Sequence, residues 1–441
     1  MERKWTELTP NEKLEERFKL WLSPKTVFAD PQAEHLYKQR VKRLIDVIQL
    51  RVPDRVPVSF APGFFVARYA GITAETAMYD PEKLIQALRK FAQDFDVDTL
   101  GGGGVPARPL EILDYKLYKW PGHGTPPNTG YQYVEAEYMK ADEYDALIRD
   151  PSDFWLRTYL PRVFGALEPL KKLSSLTDII ELPMMSPYLV SLGAPDVQAA
   201  FQSLLEAGRE AMKWVEAFRP FNREVAVAGF PRTAGGFCKA PFDTLGDTLR
   251  GTHGIISDMY RQPDKVLEAM ERILAIEIKR GVASATASGV PIVTIPLHKG
   301  ADGFMSARQF ETFYWPTLRK LILGLIEEGV VSSLFAEGSY NTRLEVIKDL
   351  PGGKVIWYFD RTDMSRAKEV LGSCACIEGN VPTSLMCSGT PSQVKAYCKA
   401  LIETAGKNGG FILAPGAGTD EAKPENVHAL LDAAHEYGKY Q

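Results

Sequence analysis

Short β-rich runs alternating with longer amphipathic stretches predict an α/β fold. Their number and the chain length point to a closed (β/α)8 TIM barrel with N-terminal helices and an insertion between the second and third strands. Eight candidate strands carry the prediction: Val56–Phe60, Phe95–Leu100, Val225–Phe230, Ile292–Leu297, Val331–Phe335, Val355–Phe359, Cys374–Ile377 and Phe411–Ala414. The stretches between them, such as "PDKVLEAMERILAIEIKRGVASA" (263–285), place apolar residues at helical spacing with Lys and Arg near the end. A doubly wound open sheet is the alternative, but no Gly-rich dinucleotide fingerprint follows the first strand.

Taken in order, residues 1–50 read as a helical extension and 51–441 as the barrel, with the insertion at about 105–220. Within the insertion, "EILDYKLYKWPGHGTPPNTGYQYVEAEYM" (111–139) reads as strand, turn, strand around a Pro/Gly-rich tip. "DIIELPMM" (178–185) could add a ninth strand. No internal repeat or low-complexity linker divides the chain.

Composition sets limits on function. Of the 441 residues, 45% are hydrophobic and 24% charged, as in ordinary globular enzymes. A net charge of −4 provides no broad basic face, so nucleic acid is not an expected partner. Five Cys, an odd number without disulfide spacing, fit a reducing cytoplasm. The charged N-terminus lacks a signal-peptide core, and no stretch approaches the roughly 18 apolar residues of a membrane span. The expectation is a cytoplasmic protein without membrane contact.

In a barrel of this kind, chemistry sits where strands end. Four successive strands deliver His298, Glu337, Asp360 and Glu378 to one rim, with Cys374 and Cys376 just inside it. Imidazole, carboxylate and thiolate are zinc ligands, and a catalytic zinc needs about three of them plus an open position. The same groups can act as general acid and base without a metal. Each also has a plainer reading. Loops are polar, Asp360 can cap the following "DRTDM" turn, and the two Cys can be small core residues. The remaining His and Cys have no companions at ligand spacing.

Three loops face the same rim. "APGFFVARYAG" (61–71) offers Phe64, Phe65 and Tyr69 as pocket walls, and Tyr340 offers another. "GGGGVPARP" (101–109) permits close backbone approach or is simply a loose loop. "GFPRTAGGFCKAPFDTLGDTLRG" (229–251) reads as a further wall.

"PDRVPV" (53–58), "GNVP" (379–382) and "AGKNGGFILAPGAGTDEAKPENVHALLDAAHEYG" (405–438) resemble the uroporphyrinogen decarboxylase superfamily of (β/α)8 barrels. The resemblance covers the chain from about residue 51 onward. The decarboxylase branch fits poorly. Its Arg-rich motif has no counterpart around Arg68, and its aspartate beyond the second strand falls in the Gly101–Gly104 run. The corrinoid-dependent methyltransferase branch fits better, with one departure. Thiol-methylating members carry His-x-Cys after the strand matching Val331–Phe335 and a Cys in the last Gly-rich turn, which together bind zinc. Here Phe335, Glu337 and Ala417 stand at those positions.

That change suggests a different reaction, because an oxygen/nitrogen site is a stronger Lewis acid than a thiolate-rich one. The resemblance implies a methyltransferase that demethylates a methoxylated, aromatic compound and passes the methyl group to Co(I) of a separate corrinoid protein. No Asp-x-His-x-x-Gly corrinoid motif occurs in this chain, so the cobalamin belongs to the partner. The expected centre is Glu337, His298 and Asp360, as zinc ligands with Cys376 or as the acid at the leaving oxygen. Homodimerisation is left open. The alternatives are a methylcorrinoid-dependent transferase acting on a thiol or folate, and a non-catalytic binding barrel.

Overall fold

The computed structural model describes residues 3–101, 104–181 and 183–440. Two helices come first, and their ends are written in the sequence. Thr9 caps Pro10–Leu22 in a reciprocal arrangement with Glu12, and Asp30 caps Pro31–Ile48, each with Pro at the first helical position. Their apolar faces (Leu14, Phe18, Trp21, Val41, Leu44 and Ile48) pack against Ile292, Val331, Ile356, Cys376 and Ile412. The N-terminal helices therefore plug the end of the barrel where the strands begin.

The insertion carries a small sheet of β1 (Tyr118–Pro121), β2 (Gly124–Thr125) and β3 (Gln132–Tyr133), in the order β2-β1-β3. This is the expected strand–turn–strand excursion. The barrel follows as β4 (Gly236–Phe237), β5 (Ile292–Leu297), β6 (Val331–Ala336), β7 (Val355–Phe359), β8 (Cys376–Val381) and β9 (Phe411–Pro415). These six strands pair in sequence order and are all parallel.

Two of the expected strands, 56–60 and 95–100, are extended segments flanking this sheet and form no regular ladder of their own. Residues 56–60 lie along β9, with Ser59 N–H donating to the Leu413 carbonyl (3.0 Å) and Leu413 N–H to that of Pro57 (2.9 Å). At the other edge, Leu100 N–H donates to the Pro231 carbonyl (3.0 Å). Between these outer segments stands the Asp98 carboxylate. It accepts from Val58 N–H (2.7 Å), from both Arg55 guanidinium nitrogens (2.8 and 2.9 Å) and from Arg43 of the second helix. Asp98 is wholly buried. The seam between the first and second strand segments is thus held by a buried charge network rooted in the "PDRVPV" stretch.

Strand alternation divides the side chains between two environments. In β5 and β6, Val293, Ile295, Leu297, Ser332 and Leu334 are buried toward the surrounding helices. Thr294, Pro296, Ser333 and Phe335 point into the barrel and line a cavity there.

Two expectations are corrected. Val225–Phe230 is not the third strand, because Val225 to Val227 complete the long helix Pro195–Val227 and the strand begins beyond it. A short apolar run fits either period, and the helix of the preceding residues extends through it. The break comes at Gly229, with φ of +91°; a Cβ there would lie 2.5 Å from the Ala33 carbonyl oxygen. Likewise, 178–185 forms no strand among its described residues. The turn Leu176–Asp178 is followed by the short helix Ser186–Leu189, and Leu182 lies outside the described residues. Gly102 and Gly103 of the glycine run also lie outside them. No helix among the described residues is long and apolar enough to cross a membrane.

Candidate active site

After β4 the chain enters the helical turn Pro241–Asp243, which runs on through Thr244–Leu249. Asp243 and Asp247 are four residues apart and share one face of this turn, aimed at the end of β5. Asp243 is completely buried and accepts from the backbone N–H of His298 (3.3 Å) and Lys299 (2.9 Å) and from the Tyr314 hydroxyl (2.6 Å). Burial and the neighbouring charge of Asp247 raise its pKa. The backbone between His298 and Ala301 passes close to these groups. A Cβ on Gly300 would lie 2.5 Å from the Tyr340 hydroxyl and 2.7 Å from the Tyr314 ring.

Asp247 orients the imidazole. Its Oδ2 lies 2.7 Å from His298 Nδ1 and 2.9 Å from Lys239 Nζ, while Oδ1 lies 3.3 Å from Lys299 Nζ. An ionised carboxylate only accepts, so Nδ1 carries the proton and Nε2 is presented to the rim. Burial opposes the ionised form of Asp247, but the His298 hydrogen bond and the Lys239 charge outweigh it and lower the pKa. The same hydrogen bond raises the pKa of His298 against the burial that would lower it.

The sign of this shift makes a prediction. A step that uses His298 as an acid should run below its raised pKa and fade as pH rises through it. Asp247→Asn removes the leading cause, leaving Asp243, Lys239 and Glu337 around the ring. The descending limb of the pH–rate profile should then move to lower pH. A limb in the same place in both proteins would reject His298 as the titrating acid.

Glu337 ends β6 at the same rim. Its side chain is half exposed, with Oε2 3.8 Å from His298 Nε2. Asp360 is anchored instead. Its Oδ2 accepts from Gly338 N–H (3.1 Å) and its Oδ1 from Ala417 N–H (3.0 Å), which straps the loops after β6, β7 and β9 together. Cys376 is fully buried at the strand-entry end of the barrel, among Leu44, Ile292, Ile356 and Ile412, and burial raises its pKa well above the usual value. The structure therefore unites His298 with Glu337, commits Asp360 to backbone amides and leaves Cys376 at the opposite end. Among the described residues, no group of three or more His, Cys, Asp or Glu side chains is placed to hold a metal ion. A zinc centre needs about three protein donors around one point, and these four side chains do not supply that arrangement.

Inside the rim lies a cavity of about 460 Å3. Leu44, Ile292, Ile356 and Ile412 line its lower part, and Phe237, Phe335 and Tyr358 form an aromatic wall. Phe335 and Tyr358 are ring neighbours at 4.7 Å, and Tyr358 donates its hydroxyl to the Pro415 carbonyl (2.8 Å). Glu378 is buried in this wall, where desolvation pushes its pKa up to about 7. An outer groove of about 940 Å3, lined by Glu337, Asp360 and Asn380, shares Ala417 and Gly418 with the cavity.

The expected aromatic walls separate. Phe64 stands beside the rim, its N–H donating to Asp420 (2.8 Å) and its ring 6.0 Å from Tyr131. Phe65 is buried among Phe60, Phe91 and Phe95 as helix-to-barrel packing. Tyr69 stacks on Phe65 and turns its hydroxyl to Asp94 (2.7 Å). Tyr340 is buried between Phe310 and Trp357, behind the His298 loop. Phe65, Tyr69 and Tyr340 are thus packing residues here and do not line the cavity.

Asp243, Asp247, Lys239 and Lys299 escaped the sequence reading, which treated 229–251 as a wall. The available signal was the Asp-x-x-x-Asp spacing in "PFDTLGDTL", which puts two carboxylates on one helical face.

Comparison with known proteins agrees with this architecture. The uroporphyrinogen decarboxylase (URO-D) family model matches residues 222–437. The uroporphyrinogen decarboxylase of Syntrophotalea carbinolica is 24% identical over 250 residues, covering 55% of this chain and 69% of that protein. That of Pseudomonas fluorescens is 23% identical over 278 residues, 60% and 70% of the two chains. A methyltransferase from Methanosarcina mazei has the same fold, with a TM-score of 0.58 at 16% identity over 91% of this chain and 98% of that one. Over residues 222–437 the chain is thus similar to the uroporphyrinogen decarboxylase family, and it shares the fold of a methyltransferase.

Proposed function

We propose that this protein is a methyltransferase that demethylates a methoxylated aromatic compound and hands the methyl group to a separate corrinoid protein. The observation that carries the reading is the exchange at the rim. Where the resemblance to thiol-methylating relatives leads one to expect His and Cys, Phe335 builds an aromatic wall with Tyr358, and Glu337 stands beside an imidazole held by Asp247.

An aryl methyl ether is inert because phenolate leaves poorly. Protonating the ether oxygen as the C–O bond breaks removes that obstacle. His298 suits the task, since Asp247 favours its protonated form and directs Nε2 outward. The corrinoid of the partner supplies Co(I), the electron pair that attacks the methyl carbon. The electrons of the broken C–O bond go to oxygen, and the His298 Nε2 proton follows them. Glu337 is placed to return a proton from solvent to Nε2, being half exposed and 3.8 Å away. The Asp360 strap holds the loops after β6 and β9 in a fixed relation around this point.

The decarboxylase activity in the relatives' names fits the cavity less well. Among the described residues no Lys or Arg lines it, so a polycarboxylate would enter without a cationic partner. The test is to incubate the protein with cob(I)alamin and a panel of methoxybenzenes and to follow methyl transfer to cobalt by absorbance. Methyl transfer from at least one arene, with uroporphyrinogen untouched, is the expected result. Turnover of uroporphyrinogen with none of the arenes would overturn the proposal.

A further inference from the structure

The barrel interior carries a polar belt that the methyl-transfer step does not use. Ser59, Thr99, Thr233, Thr294 and Ser333 come from five successive segments of the barrel, and all line the cavity. Thr233 donates its hydroxyl to Thr99 (2.9 Å). Backbone register places Phe335 opposite Tyr358 and Tyr358 opposite Glu378, so the carboxyl of Glu378 continues the aromatic wall. Thr294 lies opposite Ser333 on the neighbouring strand pair. Below the belt the lining is Leu44, Ile292, Ile356 and Ile412.

The charge balance of this lining is one-sided. Among the described residues, Glu378 and Asp420 are the carboxyl groups that line it, and neither Lys nor Arg does. Lys239 and Lys299 are engaged with Asp247 outside. An anionic ligand would therefore bury its charge beside a carboxyl group with no counter-ion, which is strongly unfavourable. A neutral hydroxyl can donate to the Glu378 carboxyl and accept from a Ser or Thr of the belt. The cavity volume of about 460 Å3 suits one substituted aromatic ring.

We propose that this cavity selects an uncharged methoxyphenol, with Glu378, Thr294 and Ser333 hydrogen-bonding a free ring hydroxyl, and that it rejects methoxybenzoates. The ring lies against Phe335 and Tyr358. The methoxy assignment rests on the demethylase reading, whereas the preference for a neutral hydroxyl rests on the lining itself.

The test is calorimetric binding to the full chain without any methyl acceptor, using 2-methoxyphenol, methoxybenzene, 3-methoxybenzoate and tetramethylammonium. The phenol should bind about tenfold or more tighter than methoxybenzene, the value of one good buried hydrogen bond, and the benzoate should bind more weakly than either. Glu378→Leu should bring the phenol to the level of methoxybenzene. Thr294→Val with Ser333→Ala gives a second route to the same loss, with circular dichroism confirming the fold of each variant. Equal binding of benzoate and phenol, tighter binding of tetramethylammonium, or an unchanged phenol preference in both folded variants overturns the proposal. If the binding pattern holds but no methyl group is transferred in the cobalamin assay, the demethylase reading fails and the site stands. If methyl groups are taken from benzoates, the site assignment fails and the demethylase reading stands.

Discussion

His298→Gln should lower the rate of arene demethylation by about 10²–10⁴-fold, the usual range for losing a positioned general acid. Glutamine keeps a polar side chain of similar reach but cannot carry the transferable proton. The loss should appear mainly in kcat, because the proton of His298 is needed as the C–O bond breaks, whereas the ring is held by the cavity lining. Asp247→Asn should show a smaller drop, since the imidazole remains but loses the carboxylate 2.7 Å from Nδ1. Single-turnover rates with cob(I)alamin, taken at several pH values, separate these effects. A His298→Gln protein working within about twofold of the parent would leave the proposed acid without a role.

Asp98→Asn should destabilise the protein by about 3–5 kcal/mol, the range for removing one member of a buried ion pair. Asp98 is wholly buried, and the side chains of Arg43 and Arg55 that meet it are only 5% and 9% exposed. Asparagine fits the same space but removes the shared charge, leaving Arg43 on Asp54 and Arg55 on the Val56 carbonyl, and it can satisfy only part of their donor set. The site also closes the barrel seam, because Asp98 accepts the Val58 N–H across it. The exposed pair Arg89–Glu224 is the control, and Arg89→Gln should cost less than about 1 kcal/mol. Urea denaturation followed by circular dichroism gives both values. Equal midpoints for the two variants would show that the seam does not depend on this charge.

The agreement between sequence and structure follows what each signal depends on. The runs Ile292–Leu297 and Val355–Phe359 coincide with β5 and β7, since a continuous apolar run bounded by Pro, Gly or a charge describes a strand buried on both faces. The run Cys374–Ile377 begins two residues before β8 (Cys376–Val381) and ends four residues short of it, because the polar Glu378 and Asn380 mask the strand. Those residues are buried because they face the barrel interior, a fact that strand length and hydropathy do not contain. Val225–Phe230 was misassigned for the opposite reason: its apolar residues belong to the buried face of a long helix.

The site divides the same way. That His298 and Glu337 share a rim follows from their places at the ends of consecutive strands, and strand order is legible from the chain. Asp247 could not be found by that logic, because it reaches His298 from a helical turn 51 residues earlier. Asp360 looked equivalent to Glu337 until its oxygens were seen to be occupied by the Gly338 and Ala417 amides. Cys376 and Glu378 sit two residues apart on one strand and face the same interior. Strand tilt nevertheless puts one against the N-terminal plug and the other in the cavity wall.

By itself the sequence determined the barrel, most of its strands, the helix caps at Thr9 and Asp30 and the rim to which the proposed site is assigned. All of these depend on residues near one another in the chain or on strand order. Tertiary structure alone decided which rim groups are free to react, how Asp247 aims the imidazole, and that among the described residues the cavity is lined by carboxyl and hydroxyl groups without Lys or Arg. Those properties arise from strand tilt and register and from contacts between distant segments, which no local pattern of residues specifies.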